Sequence, residues 1–426
     1  MNDLNGKHVL VDAYNLRLPY VTGVRTYAET LIRGLRMLGA RVSVLWDSPS
    51  AATWPVGEVV AFDANRWVGR LAKFRTALEL GTWGATASTV YKSKRVTIPP
   101  PGYEFIVDVD SLYTVPWCYE ASNHIYHRLH KASKLRIRNE GVHVWHATYP
   151  IPIDVKGAIK ITTVHDLVPI RMPYTTLDIK KDYYNLIMYS LYTSSAVFAV
   201  SEYTRRDILD VFPDCNPDKI IVTYQAVIKQ DVSDDIVEIT MRKFKLKPGQ
   251  FILFVGTIEP KKNVGRLIDA YAGIDTDMPL VIVGRKGWLW EGEIRKLEFM
   301  FGRWYKKVLL LEHVTRTELY ALYSAACCLA FPSLYEGFGL PTVEAMALGT
   351  PVVCSQVTSL PEVCGDAAVY VDPYDISSIR RGIESVIGDA ELRKLLSCKG
   401  REQARKFSIE RYAEVLRSAY SRVLSS

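Results

Sequence analysis

Two carboxylates, Glu336 and Glu344, stand eight positions apart around the stretch Gly337-Phe338-Gly339-Leu340-Pro341-Thr342-Val343. The glycines let a backbone come close to a ligand, and Pro341 suits the first helical position, where its missing N–H costs nothing. First-turn amides and the positive end of a helix favour an anion such as phosphate. Phosphate does not want carboxylates. An ionised carboxylate only accepts hydrogen bonds and can take two from neighbouring sugar hydroxyls. Phosphate on the amides and hydroxyls on the carboxylates together describe a nucleotide-sugar. Taken singly, each Glu has a plainer use: Glu344 complements the helix dipole, worth about 0.3–1 kcal/mol, and Glu336 is a solvated loop residue.

Holding these groups requires a strand, a loop and a helix in succession. Cys327-Cys328-Leu329-Ala330-Phe331 reads as the strand, and Gly349 followed by Pro351 closes the helix. The same pattern recurs from the first strand at 8–12, through Thr22-Gly23-Val24, into a helix expected over 25–38. Further apolar runs at 41–46, 142–147, 159–164, 196–200, 220–224, 251–256, 280–284 and 308–312 complete a strand–helix alternation, which predicts an α/β fold built on parallel sheets. A chain of 426 residues suits two domains, expected at 1–228 and 229–405. His165 ends the strand at 159–164, where open α/β sheets place ligands. Gly256 ends the strand at 251–256, and Lys261 and Lys262 follow it, a pair that by itself also suits a solvated turn. Gly23 alone is a weak signal and reads equally as a turn.

Net charge is +7 and hydrophobic content 48%, a moderately basic chain with apolar residues enough for two cores. The basic balance suits anionic lipid, nucleic acid or phosphorylated substrates, and sign alone does not choose. Seven cysteines show no C-x-x-C pair, so neither a disulfide framework nor a zinc site is expected, and a reducing cytoplasm fits best. The polar N-terminus suggests no secretory signal, and no run reaches about 18 apolar residues, the length of a membrane span. Residues 62–98 read as a basic amphipathic helix, with Trp67, Leu71, Phe74 and Leu78 at helical spacing and Arg66, Arg70, Lys73 and Arg75 interleaved. Such a face is either core with a solvated charged side or a contact with an anionic membrane surface or an acceptor. A second basic stretch covers 127–138, and Asp108-Val109-Asp110 has the form of a metal-binding tripeptide, one common by chance.

The run from Glu336 to Glu344 resembles the E-x7-E signature of retaining glycosyltransferase family 4, and the likeness continues through Ser359-Leu360-Pro361-Glu362-Val363, Gly365-Asp366-Ala367-Ala368 and Val371-Asp372-Pro373. The resemblance implies the GT-B architecture: two Rossmann-like domains facing each other across a cleft, with a final helix, 406–426, packed back on the first. It implies glycosyl transfer with retention, the nucleotide-sugar held by the second domain and a glycan or lipid-linked acceptor by the first. Carried over residue by residue, Glu336, His165 and Lys262 become catalytic. Glu336 orients the sugar hydroxyls, and His165 reaches the sugar from the opposite domain. Lys261 and Lys262 hold the donor pyrophosphate, with Thr257 standing where many members have arginine and Lys261 inferred to replace it. Gly256, Gly337, Phe338, Gly339, Leu340, Thr342 and Glu344 complete the donor site, with Glu344 on the ribose. Gly23 marks the loop facing acceptor and donor phosphates. No cofactor, metal or nucleic acid is implied. The wording of the Val-His-Asp-Leu and Gly-Thr-Ile-Glu-Pro-Lys-Lys-Asn segments is similar to mannosyltransferases of polysaccharide or glycolipid synthesis. GDP-mannose is therefore the expected donor, ahead of UDP-glucose and dTDP-rhamnose, and the expected place is the cytoplasm or the inner face of its membrane. The rival classes are a nucleotide-sugar epimerase and a basic nucleic-acid-binding protein on the same fold.

Overall fold

The computed structural model describes residues 4–17, 22–47, 70–90, 104–137, 141–228, 230, 232–298 and 307–425. Among the described residues, sixteen strands fall into two sheets. The first holds β1 (His8–Asp12), β2 (Arg41–Trp46), β3 (Ala85–Val90), β4 (Ser111–Thr114), β5 (Ser133–Ile137), β6 (Val144–Ala147), β7 (Ile153–Val155), β8 (Ile159–Val164), β9 (Ala196–Ala199) and β10 (Ile220–Val222). Their order is β10-β9-β8-β6-β1-β2-β4-β3-β5-β7, parallel except where β3 meets β4. The second holds β11 (Ile252–Val255), β12 (Leu280–Val283), β13 (Val308–Leu311), β14 (Cys328–Phe331), β15 (Val352–Ser355) and β16 (Ala368–Val371), ordered β13-β12-β11-β14-β15-β16 and parallel throughout. The central strands are buried along their whole length, as a parallel sheet covered on both faces requires.

Strand order in the second sheet reverses between β11 and β14. The loops after those two strands therefore diverge and leave a crevice at their carboxyl ends, where ligands of such sheets lie. Gly256, Lys261 and Lys262 follow β11, and Glu336 follows β14.

The last helix, Ile409–Ser425, lies against the Gly23–Met37 helix of the first unit. Its buried residues Ile409, Tyr412, Ala413, Leu416, Ala419, Tyr420 and Val423 recur at helical spacing along one face. Each large apolar side chain so buried contributes about 1.5–3 kcal/mol. The Tyr420 hydroxyl also lies 2.5 Å from His146 Nδ1, whose other nitrogen meets Thr163, so the tail is registered on β6 and β8 by hydrogen bonds as well as area.

The stretch 62–98 is not one helix. Its described part is the helix Arg70–Gly81, a turn at Thr82-Trp83-Gly84, and β3; positions 62–69, with Trp67, and 91–98 lie outside the described residues. Gly81 and Gly84 end the helix, and Thr86, Thr89 and Val90, β-branched, suit the strand that follows. On the helix only Thr76 and Leu80 are buried, while Leu71 and Phe74 are 83% and 68% exposed, so these apolar side chains face outward and not into a core.

Candidate functional site

The loop after β14 is built by short-range bonds around Glu336. Lys262 donates to Glu336 Oε1 at 2.5 Å, a charge-assisted bond across the crevice between the β11 and β14 loops. The Ser333 hydroxyl lies 2.6 Å from the same oxygen and 3.0 Å from the Lys261 carbonyl, sharing its one proton between these acceptors. The Glu336 N–H donates to Thr358 Oγ1 at 3.1 Å, and its carbonyl accepts from Ser359. Thr358 holds a φ of 58°, a left-handed conformation that costs a β-branched residue on the order of 1–3 kcal/mol and is retained here under the Glu336 amide. Lys261 is held more loosely, 3.7 Å from Glu259 and 3.8 Å from Asp166. Burial alone would lower its pKa, but the surrounding Asp166, Glu259 and Glu336 carboxylates outweigh it, so the ammonium stays charged. Its long, replaceable pairs make it the cation readiest to turn to a phosphate.

Gly339 caps the helix Leu340–Leu348 with a φ of 91°, which suits glycine, and Pro341 lies in its first turn. The side chains of Phe338, Leu340 and Thr342 turn inward. Phe338 packs edge-on against Phe407, Leu340 is in the core, and the buried Thr342 hydroxyl donates to the Gly339 carbonyl at 2.8 Å. With these three side chains turned inward, what their positions can offer a ligand is backbone. Gly256 ends β11 beside the Lys262 stem.

Glu344 lies one helical turn in, partly buried, accepting from the Tyr323 hydroxyl at 3.1 Å. Burial pushes its carboxyl up to about 7, against the pull of Tyr323 and Arg316. Arg316 in turn meets Glu29 of the first unit at 3.2 Å, and Glu29 meets the buried Arg25 at 3.1 Å. The two carboxylates of the motif thus differ: Glu336 is an ion-paired acceptor, Glu344 a group poised to titrate near neutrality.

His165 follows β8 and comes from the opposite side. Its Nε2 lies 2.8 Å from the Thr148 carbonyl, which can only accept, so Nε2 carries the proton; Nδ1 accepts from Gln225 at 3.3 Å. Burial brings its pKa down to about 4, so the ring is neutral. A sugar hydroxyl reaching this ring must replace one of those bonds. Thr148 is itself fixed by Asp12 at the end of β1, whose carboxylate accepts its N–H. The His165 carbonyl touches the second unit: a Cβ on Gly337 would sit 1.9 Å from it. Glu336, Lys262, Lys261, Gly337 and His165 therefore converge where the carboxyl ends of β8, β11 and β14 meet. Gly23 begins its helix behind the Thr22 cap, exposed, with 18–21 outside the described residues.

Asp110 of the Asp108-Val109-Asp110 tripeptide is taken up by Arg36 at 2.7 Å and the Val42 N–H at 2.8 Å, a structural use. Among the described residues no three His, Cys, Asp or Glu side chains converge as a metal site. A cavity of about 810 Å³, lined by Gly249, Cys327, Pro351, Arg393 and Arg401, opens at the amino ends of β11, β14 and β15, the opposite edge from Glu336. Ser333, Thr358 and Ser359 were missed as site residues. Ser333 lies three residues before Glu336 and Ser359 opens the Ser359-Leu360-Pro361-Glu362-Val363 run, so hydroxyls close to these acidic positions were the available signal.

Two family models match the chain: Glycosyltransferase Family 4 over residues 89–229 and Glycosyl transferases group 1 over residues 237–403. The chain is 34% identical over 271 residues to the O-antigen chain mannosyltransferase B of Escherichia coli, a match covering 61% of this chain and 69% of that one. It is 29% identical over 289 residues to the serotype-specific mannosyltransferase WbdA of Escherichia coli, covering 66% of this chain but 35% of that longer protein. Among solved structures it superposes on sucrose-phosphate synthase from Thermosynechococcus elongatus with a TM-score of 0.68 at 16% identity, over 98% and 99% of the two chains. That last likeness is one of fold.

Proposed function

The chain belongs to glycosyltransferase family 4 and has its GT-B fold, and from that premise we propose that it transfers mannose from GDP-mannose to a glycan or lipid-linked acceptor in O-antigen-type polysaccharide synthesis, with retention. The observation that carries the catalytic part is the Lys262–Glu336 pair at the crevice between β11 and β14, with His165 opposite. In the proposed step the bond from the anomeric carbon to the diphosphate oxygen breaks as the acceptor hydroxyl bonds to that carbon on the same face. The acceptor proton passes to the departing diphosphate. Negative charge grows on the leaving group, and Lys261, Lys262 and the amides at the head of the Leu340–Leu348 helix lie ready to stabilise it. Glu336 orients the sugar hydroxyls, and Glu344 accepts from the ribose. The preference for mannose is supported by the mannosyltransferase relatives.

Purified protein offered GDP-mannose, UDP-glucose and dTDP-rhamnose should release nucleotide from GDP-mannose alone; turnover of UDP-glucose instead would overturn the donor. The same assay with chelator should proceed unchanged, because these cations and amides can carry the diphosphate charge; activity lost to chelator and restored by manganese would refute that. No described helix is long and apolar enough to cross a membrane. The helix Arg70–Gly81 shows solvent the apolar Leu71, Phe74 and Leu78 beside Arg70 and Arg75, a face suited to lying on an anionic bilayer. Flotation with vesicles containing anionic lipid should recover the protein, and equal recovery with neutral vesicles would leave no role for the charges.

A further inference from the structure

We infer that Asp207, on the first unit, is a positioning residue for the catalytic loop of the second: it holds Tyr335, and Tyr335 holds Glu336 beside it. The inference rests on the catalytic reading of Glu336. Asp207 lies on the helix Glu202–Val211, is 5% exposed, and stands between the Arg171 guanidinium and the Tyr335 phenol, which donates to Oδ2. Tyr335 is buried too, packed with Val168, Met172 and Leu334 and against the edge of Tyr203. Burial and the Asp207 charge both push the phenol's pKa up, so its proton stays where the bond needs it.

The same helix grips the loop on both sides of Glu336. The Gly337 carbonyl accepts from Ser201 at 2.6 Å and lies 3.3 Å from the Thr204 hydroxyl. Further on, the Glu362 carboxylate accepts the N–H groups of Glu202 and Tyr203 at 2.8 and 3.0 Å, an anion from one unit seated on the positive helix end of the other. The Glu336 side chain, by contrast, is held by Lys262 and Ser333 of its own unit. Its distance from a sugar shared with His165 is therefore set through its neighbours, by the helix of the opposite unit. Arg171 takes Asp207 Oδ1 and so leaves Oδ2 to the Tyr335 phenol.

Tyr335→Phe removes one hydroxyl and leaves Asp207 its pair with Arg171. With whichever of GDP-mannose, UDP-glucose and dTDP-rhamnose the wild type hydrolyses, kcat should fall roughly 10- to 100-fold, the cost of slight misplacement, while affinity for the matching nucleoside diphosphate stays unchanged. Asp207→Asn should lose turnover too, and the double variant no more than the worse single, because both break one link. Hydrogen exchange over residues 333–340 should quicken in the absence of donor. Glu336→Gln measured alongside separates two failures: full turnover in Glu336→Gln overturns the catalytic reading itself. A Glu336→Gln that is inactive beside a Tyr335→Phe with wild-type kcat overturns the positioning role, and so does a lowered melting temperature with kcat and loop exchange unmoved.

Discussion

The two glycine corners of this molecule, Gly23 after β1 and Gly337–Gly339 after β14, share a pattern of strand, loop and helix but not a physical reason for glycine. At Gly337 a methyl group would collide with the His165 carbonyl at 1.9 Å, and Gly339 sits at a φ of 91°. At Gly23 a methyl group would meet no described residue within 4 Å, and the residue opens a helix in ordinary conformation. The second corner is glycine because two units of the protein close on it. The first has room among the described residues.

The largest effect should follow from Gly337→Ala. Its methyl group must push the units apart or move the loop, and kcat/KM is expected to fall about 100-fold or more, as displacement of about 1 Å at a reacting centre can cost that much. A variant with near wild-type kinetics would mean that the corner yields, and the contrast with Gly23 would vanish.

Glu336→Gln comes next, with kcat down by roughly 100-fold, as for loss of one preorganised polar contact, and nucleoside diphosphate affinity nearly intact. If diphosphate affinity collapses while kcat stands, the assigned roles of the two carboxylates are reversed.

Glu344→Gln should act on binding and on its pH dependence. Ribose hydroxyls donate to the ionised carboxylate, so donor KM should rise in the variant; wild-type diphosphate binding should tighten between pH 6 and 8, through a pKa of about 7, and that tightening should flatten in the variant. Stability has the opposite sign. The folded carboxyl keeps a proton that the unfolded chain, with an ordinary value of 4.5, releases, so wild-type stability declines as pH rises from 4.5 towards 7. Glu344→Gln should therefore melt a few degrees higher than wild type at pH 8 and level with it at pH 4; a pH-independent difference would refute the buried, raised carboxyl.

Smallest of all, Gly23→Ala should raise stability by at most about 1 kcal/mol through helix propensity, leave donor hydrolysis unchanged, and raise only the acceptor KM. Donor hydrolysis lost along with it would place donor phosphates, too, against this corner.

The sequence carried a great deal of this. Glu336, Lys262, Gly337 and His165 were legible because each lies in the segment that follows an apolar strand, and the ends of parallel strands gather at one edge. The final helix, expected at 406–426 from the resemblance, is Ile409–Ser425. The stretch 62–98 misled, because basic and aromatic residues continue past Gly81 while the backbone turns at Gly84 into β3. The inward turn of Phe338 and Thr342 was likewise invisible, since motif membership does not say which way a side chain points.

What local pattern determined, then, was the parallel α/β architecture and the residue types at the head of each loop, because periodicity and capping act over a few neighbouring positions. What only the tertiary structure decided was how those loops are held. Asp207 meets Tyr335 across 128 positions of chain, Glu362 meets Glu202 across 160 and Glu29 meets Arg316 across 287. No local signal marks such partners: an aspartate in a helix or a glutamate in a first turn is equally at home in water. Each acquires its function only when the folded chain withdraws it from solvent and sets the opposite unit's donor against it.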